Sequence, residues 1–179
     1  VFYGNKEPTT ECSTMTFDTT STFTLNVPYD YYGTTFCGKP VTTTFSYGEC
    51  GNDCHWIFNM TTKDLTIYGS GEMNEYSETV VAPWYKNGTS ITKVDISGIT
   101  QIGKYAFRDC QKIETFTLSK GSSYFEIGTE GELYTAGKTK LIQFPIGKTH
   151  SGTFAIPNSV TEIYPHAVEY STFTQITIP

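Results

Sequence analysis

The stretch IGKYAFRDCQKIETFTL, residues 102–118, changes its hydrophobic period midway. Ile102, Ala106, Cys110 and Ile113 step by four, four and three, the spacing of one helical face. Phe116 and Leu118 then alternate with Thr115 and Thr117, the spacing of a strand. A turn or two of helix cannot bury such a face alone, and neither can so short a strand. The pattern predicts one coil of a stack, closed by coils above and below. VTEIYPHAVEYSTFTQITIP, residues 160–179, repeats it. Ile163 answers Ile102, Ala167 answers Ala106 and Val168 answers Phe107. After a one-residue deletion, Phe173, Ile176 and Ile178 answer Ile113, Phe116 and Leu118. Val94 and Ile96 in ITKVDIS form a shorter echo. Recurrence of a mixed-period unit of about twenty residues marks a solenoid. The competing reading is an ordinary α+β domain with one chance echo.

Upstream the pattern is that of strands. Phe23, Leu25 and Val27 alternate with Thr22, Thr24 and Asn26, and Val41, Thr43 and Phe45 alternate further on. The Pro/Gly-bounded loop PYDYYG lies between them, so residues 1–46 read as a two-stranded hairpin unit. HWIFNM and DLTIYGSGEM then read as two short strands joined by a TTKD turn, followed by APWYKNG, where Trp84 is the expected core anchor. Residues 47–98 are expected to cap the open end of the stack. Residues 99–179 carry the coils, with a hairpin-like insertion at 119–157. The fold class expected is mainly β: a short solenoid with a β-rich N-terminal unit and a cap.

Composition adds the compartment. Threonine is about one residue in six and aromatics are 15%, which favours strands. The net charge of −6 and the lack of a basic stripe exclude a nucleic-acid partner. No apolar run approaches the length that spans a bilayer. The chain opens on Val1 rather than Met, which points to processing or trimming, so the lack of a visible signal peptide says nothing about secretion. Few lysines, two sequons (Asn59-Met60-Thr61 and Asn87-Gly88-Thr89) and a cluster of four cysteines place the chain outside the cytosol. Cys12, Cys37, Cys50 and Cys54 allow three connectivities. The most local pairing, Cys12–Cys37 with Cys50–Cys54, is the expectation; the first bridge would contribute roughly 3 kcal/mol by loop entropy. Cys110 reads as a buried free thiol.

Candidate chemistry is sparse. His55, His150 and His166 sit in no catalytic motif and no G-x-S-x-G is present, so no catalytic residue is expected. His55 reads as a capped strand end, His150 as a solvated loop residue and His166 as the surface of a coil turn. Cys50, Cys54 and His55 supply too few ligands for zinc. Glu72, Glu75 and Glu78 lack the glycine turn of a calcium loop and read as a solvated face. No metal or cofactor is expected. Tyr29, Tyr31 and Tyr32 form a possible contact loop, since tyrosine brings area at small entropic cost.

With these residues laid out, the chain resembles the BspA-type leucine-rich repeat family of surface proteins. YGECGNDCHWIFNMTTKDLTIYGSGEM resembles the family's opening segment, APWY its next marker and ITQIGKYAFRDCQKIETFTL the repeat itself. ELYTAGKTKLIQFPIGKT followed by FAIPNSVTEI resembles the interruption found between repeats. The resemblance covers about residues 47–179. Cys54 beside Cys50, and Tyr164-Pro165 where Gly103-Lys104 stands in the first coil, depart from the pattern. The resemblance implies a non-catalytic extracellular or cell-surface protein, a right-handed solenoid-like stack whose faces bind extracellular proteins, matrix or host cells. A second expectation is a structural subunit. Phe173, Ile176 and Ile178 on the last coil would meet the N-terminal β unit of another copy, giving a homo-oligomer or head-to-tail filament.

Overall fold

A computed structural model describes residues 45–119 and 121–178 fully, and the backbone alone of 25–28, 35–36 and 39–44. Cys12, Cys37, Tyr29, Tyr31 and Tyr32 lie outside the described residues. The elements are almost all strands. β1 (Leu25–Pro28) and β2 (Thr35–Phe36) both pair with β3, a strand of 21 residues (Lys39–Asn59). β3 turns back antiparallel onto β4 (Asp64–Met73) through residues 60–63, as the two strand patterns around TTKD predict. The segments at 25–28 and 41–45 do pair, but parallel, with Leu25 opposite Val41. This corrects the hairpin reading: a two-strand alternation fixes faces, not direction, and the antiparallel partners of β3 are β2 and β4.

From β4 to β6 the ladders run parallel. β5 (Lys93–Ser97) lies between β4 and β6 (Thr115–Ser119), with Val94 opposite both Leu65 and Phe116. Val94, Ile96, Leu65, Ile67 and Phe116 point inward and are buried. Their alternation is why these segments are strands, and full burial of each side chain contributes roughly 1.5–3 kcal/mol. Between β5 and β6 the chain makes successive tight turns. Ala106 N–H donates to Gly103, Arg108 to Tyr105, Cys110 to Phe107 and Ile113 to Cys110. The four-four-three spacing therefore reports a chain of turns, not a helix. Left-handed residues at Tyr105 (φ 60°) and Asp109 (φ 59°) reset the direction before a helix can propagate.

The segment read as an insertion divides in two. β7 (Phe125–Ile127) and β8 (Leu133–Thr135) form an antiparallel hairpin, and β8 also pairs antiparallel with β9 (Lys140–Gln143). But β9 pairs parallel with β11 (Glu162–Ile163), and β10 (Thr153–Ala155) pairs parallel with β12 (Gln175–Thr177). Lys140 faces Glu162 and Thr153 faces Gln175, each 22 residues on, as Lys93 faces Thr115. Residues 139–156 are thus a ladder partner of the last coil, and the inserted hairpin ends near 138. The last coil copies the turn pattern of the first. Ala167 N–H donates to Tyr164, Glu169 to His166 and Ser171 to Val168, with His166 and Tyr170 both at φ 63°. The side chains match less well. Ile163 is exposed, and the buried residue at the start of this coil is Tyr164, where the first coil has Gly103.

Two aromatic clusters anchor the interior. Trp84, fully buried, packs edge-on against Trp56 and Tyr76 and beside Phe107, and donates its indole N–H to the Ala106 carbonyl at 2.8 Å. Further along, Phe144, Phe154 and Phe173 cluster together, with His150 against Phe144 and Phe173. His150 is not the solvated loop residue its surroundings predict. Its side chain is 7% exposed, because the loop folds onto these rings. Buried Gln143 donates to the Phe144 and Ala167 carbonyls and so ties β9 to the last coil.

Candidate interaction face

Three turn segments lie side by side: 74–78, 101–110 and 162–171. Backbone bonds set the first pair, with Met73 N–H on the Gln101 carbonyl and Tyr76 N–H on that of Lys104, both at 3.2 Å. Glu75 finishes the joint. One oxygen accepts from the Gln101 amide at 3.1 Å and the other from the Lys104 backbone N–H at 2.9 Å. Gly103 permits this approach, because a Cβ there would stand 1.8 Å from the Asn74 carbonyl oxygen. The ring of Tyr105 meets that of His166 at 5.4 Å across the second joint.

Charge bridges the same joints. Glu162 receives Lys104 at 2.6 Å and Lys140 at 3.0 Å. Hydrogen bonds from Lys104 and Lys140 hold its carboxyl below the usual carboxylate range, and Glu162 in turn holds both ammonium groups above theirs. Arg108 grips Glu78 through the carboxylate (2.9 Å) and the carbonyl (2.8 Å). His166 bridges Glu78 and Glu169, and its hydrogen bond to Glu169 is the main reason its pKa is raised. Lys104 reaches over the Tyr164 ring at 5.8 Å. A cleft of about 400 Å³ opens between the segments, lined by Glu75, Gln101, Lys104, Lys140 and Tyr164 over the edge of Phe125. Its walls carry both charges, an amide and an aromatic ring, the mixture suited to polar contacts with a protein surface. Among the described residues no group of three or more His, Cys, Asp and Glu is placed to hold a metal ion.

The sequence expectations fall elsewhere. Cys50 and Cys54 are joined as a disulfide within β3, their Cα atoms 5.2 Å apart. Asn59 stands at the β3–β4 turn, where its side-chain oxygen accepts the N–H groups of Thr61 and Thr62. Asn87 lies in a 3-10 turn (Tyr85–Ser90) at the rim of a recess shared with Met60, Val81 and Pro83. Phe173 and Ile176 are half-buried against the core, while Ile178 is exposed. His55 is not at a strand end but inside β3, paired with Tyr68, whose ring lies 5.5 Å away. Burial and the Asp109 charge push the Cys110 thiol up to about 12, so it is inert as well as buried. Glu75, Glu78, Lys104, Arg108, Glu162 and His166 were not singled out as a group by sequence. Spacing alone gives no hint that residues 88 apart, Glu78 and His166, meet.

Residues 78–179, more than half of the chain, match the family model described as BspA type leucine rich repeat region. Among curated proteins, none matches. The chain is similar to the crystal structure of a leucine-rich repeat protein from Eubacterium ventriosum, with 16% identity and a TM-score of 0.36. The match covers 75% of this chain and 60% of that one, so the chain spans less than two thirds of that protein's length.

Proposed function

The chain belongs to the BspA-type leucine-rich repeat family, and from that premise we propose that it is a non-catalytic adhesion and protein-interaction module at the cell surface or outside the cell. On this reading residues 99–179 carry the coils of a solenoid, residues 47–98 cap it and residues 1–46 form a β-strand N-terminal unit. A glycan on each of Asn59 and Asn87 and a Cys12–Cys37 bridge belong to the same extracellular reading. No helix among the described residues is long and apolar enough to cross a membrane. The observation that carries the proposal is the joined face of segments 74–78, 101–110 and 162–171. Its side chains of both charges converge on an open cleft.

The test is binding of the purified chain to immobilised extracellular-matrix proteins and to intact cells. Lys140→Glu, at the cleft rim, is expected to weaken attachment about tenfold, whereas Lys148→Glu, away from the cleft, leaves it intact. Equal binding by both variants, or none by the parent chain at micromolar concentration, refutes the reading.

The filament alternative draws on one observation, the outer edge of β12, which pairs with no further strand among the described residues. Light scattering decides it: large species that grow with concentration and vanish in Ile176→Lys favour assembly, and a concentration-independent monomer removes it.

A further inference from the structure

The His166 imidazole holds a carboxylate at each of its two nitrogens. Glu169, on the same coil, meets Nδ1; Glu78, 88 residues away in sequence, meets Nε2 at 3.2 Å. A neutral imidazole has one N–H and one lone pair, so it can donate to only one of these acceptors. Remove the proton and the lone pair on the other nitrogen faces a carboxylate at hydrogen-bond distance. The geometry itself therefore calls for imidazolium.

We propose that His166 is a proton-operated clasp that fastens the 162–171 coil to the 74–78 segment and so regulates the cleft between them. The proposal rests on the reading of that cleft as the binding face. Three segments meet at the clasp. Glu78 gives its second oxygen to Arg108 at 2.9 Å, so the 101–110 coil is held by the same carboxylate. The groups facing His166 are Glu169 on its own coil, Glu78 on the incoming segment, and Tyr105 on the coil between. Arg108 acts through Glu78, and Tyr170 and Asp109 lie one neighbour further out. Part of the cleft wall belongs to the same segments: Glu75 is three residues from Glu78, Lys104 adjoins Tyr105, and Tyr164 is two residues from His166, while Phe125, Thr135 and Lys140 complete it from β7, β8 and β9.

The sign follows from the direction of the shift. Both carboxylates stabilise the charged ring, so the folded pKa lies above the free-histidine value of about 6.5. The clasp is fully closed below that free value and opens as pH rises through the folded one. Binding at the cleft is then tighter in mildly acidic than in alkaline medium.

Nuclear magnetic resonance on the labelled full chain tests this without any partner. The expected result is a His166 ring that titrates above about 6.5, with both nitrogens protonated below its midpoint. Glu78→Gln and Glu169→Gln each lower its proton affinity about threefold or more. Amide exchange at Ala167 and Ser171 accelerates above the midpoint beyond the intrinsic rise with pH. A wild-type ring that titrates at or below the free value overturns the proposal even if both variants unfold. So does a midpoint that neither substitution moves, or exchange that follows the intrinsic rate throughout. A chain that binds no surface still titrates, so failure of the adhesion reading and failure of the clasp are separable.

Discussion

Thr161 gives both its amide N–H (2.8 Å) and its hydroxyl (3.2 Å) to one oxygen, the carbonyl of Thr139, 22 residues earlier. The same double bond recurs. Thr174 makes it to Gly152, Thr100 to Gly71 and Thr92 to Lys63. A β-branched side chain is stiff at χ1, which keeps Oγ1 beside its own backbone N–H. Each such threonine fastens one turn of the chain to the turn before it. Much of the threonine in the repeat region is thus explained by inter-coil bonding, beyond strand preference.

Valine at these positions keeps the shape and loses the second donor. Thr161→Val and Thr174→Val are each expected to destabilise the chain by about 0.5–1.5 kcal/mol. Urea denaturation midpoints of the two variants against the parent measure it. An unchanged midpoint in both contradicts the role given to the hydroxyl.

Gly103 and Tyr164 hold the same place in their coils with opposite demands. A Cβ at 103 collides with the Asn74 backbone, so Gly103→Ala is expected to cost about 1–3 kcal/mol or more and to loosen the 74–78 joint. Gly152→Ala meets no atom within 4 Å and carries only the strain of its positive φ, on the order of 1 kcal/mol. Melting temperatures should fall in that order, Gly103→Ala lower; the reverse order is inconsistent with the packing described.

Much of this was legible beforehand, and the reason is periodicity. The inner positions Val94, Ile96, Ile102, Phe107, Ile113 and Phe116 are all buried, as their spacing requires. The echo in ITKVDIS is a ladder strand beside both of its neighbours. Four things were not readable. The direction of the β1–β3 pairing was hidden because alternation does not encode it. The role of 139–156 as a ladder partner was hidden by the hairpin that interrupts the count. Ile163 matched in sequence yet faces outward, since Tyr164 fills the buried position with a larger ring. The charged face was the least visible part: solvated-looking Glu75 and Glu78 acquire partners only when the turns stack.

Cys110 should behave as a core side chain. Burial holds its thiol near 12, so iodoacetamide at neutral pH is expected to leave it unmodified in the native chain and to label it after unfolding. Peptide mass mapping reads the outcome. Rapid native labelling would show that the coil interior opens readily.

Glu162 gives the acid limb. Its pKa is depressed by Lys104 and Lys140, so its contribution to stability is present above the ordinary carboxylate pKa and is lost as pH falls through the folded value. Glu162→Gln is expected to be less stable than the parent at neutral pH, and the difference is expected to shrink as pH falls through the folded pKa of Glu162 and its side chain loses its charge. A difference that persists undiminished in acid would place its origin in packing instead.

The claim beneath all of these is that successive turns pair in parallel, with a 22-residue step at the β5–β6, β9–β11 and β10–β12 ladders. Nuclear Overhauser contacts in the folded chain measure it directly. Cross-strand backbone contacts are predicted between Lys93 and Thr115, Lys140 and Glu162, and Thr153 and Gln175. At these three places, contacts at another offset or antiparallel pairing would contradict it.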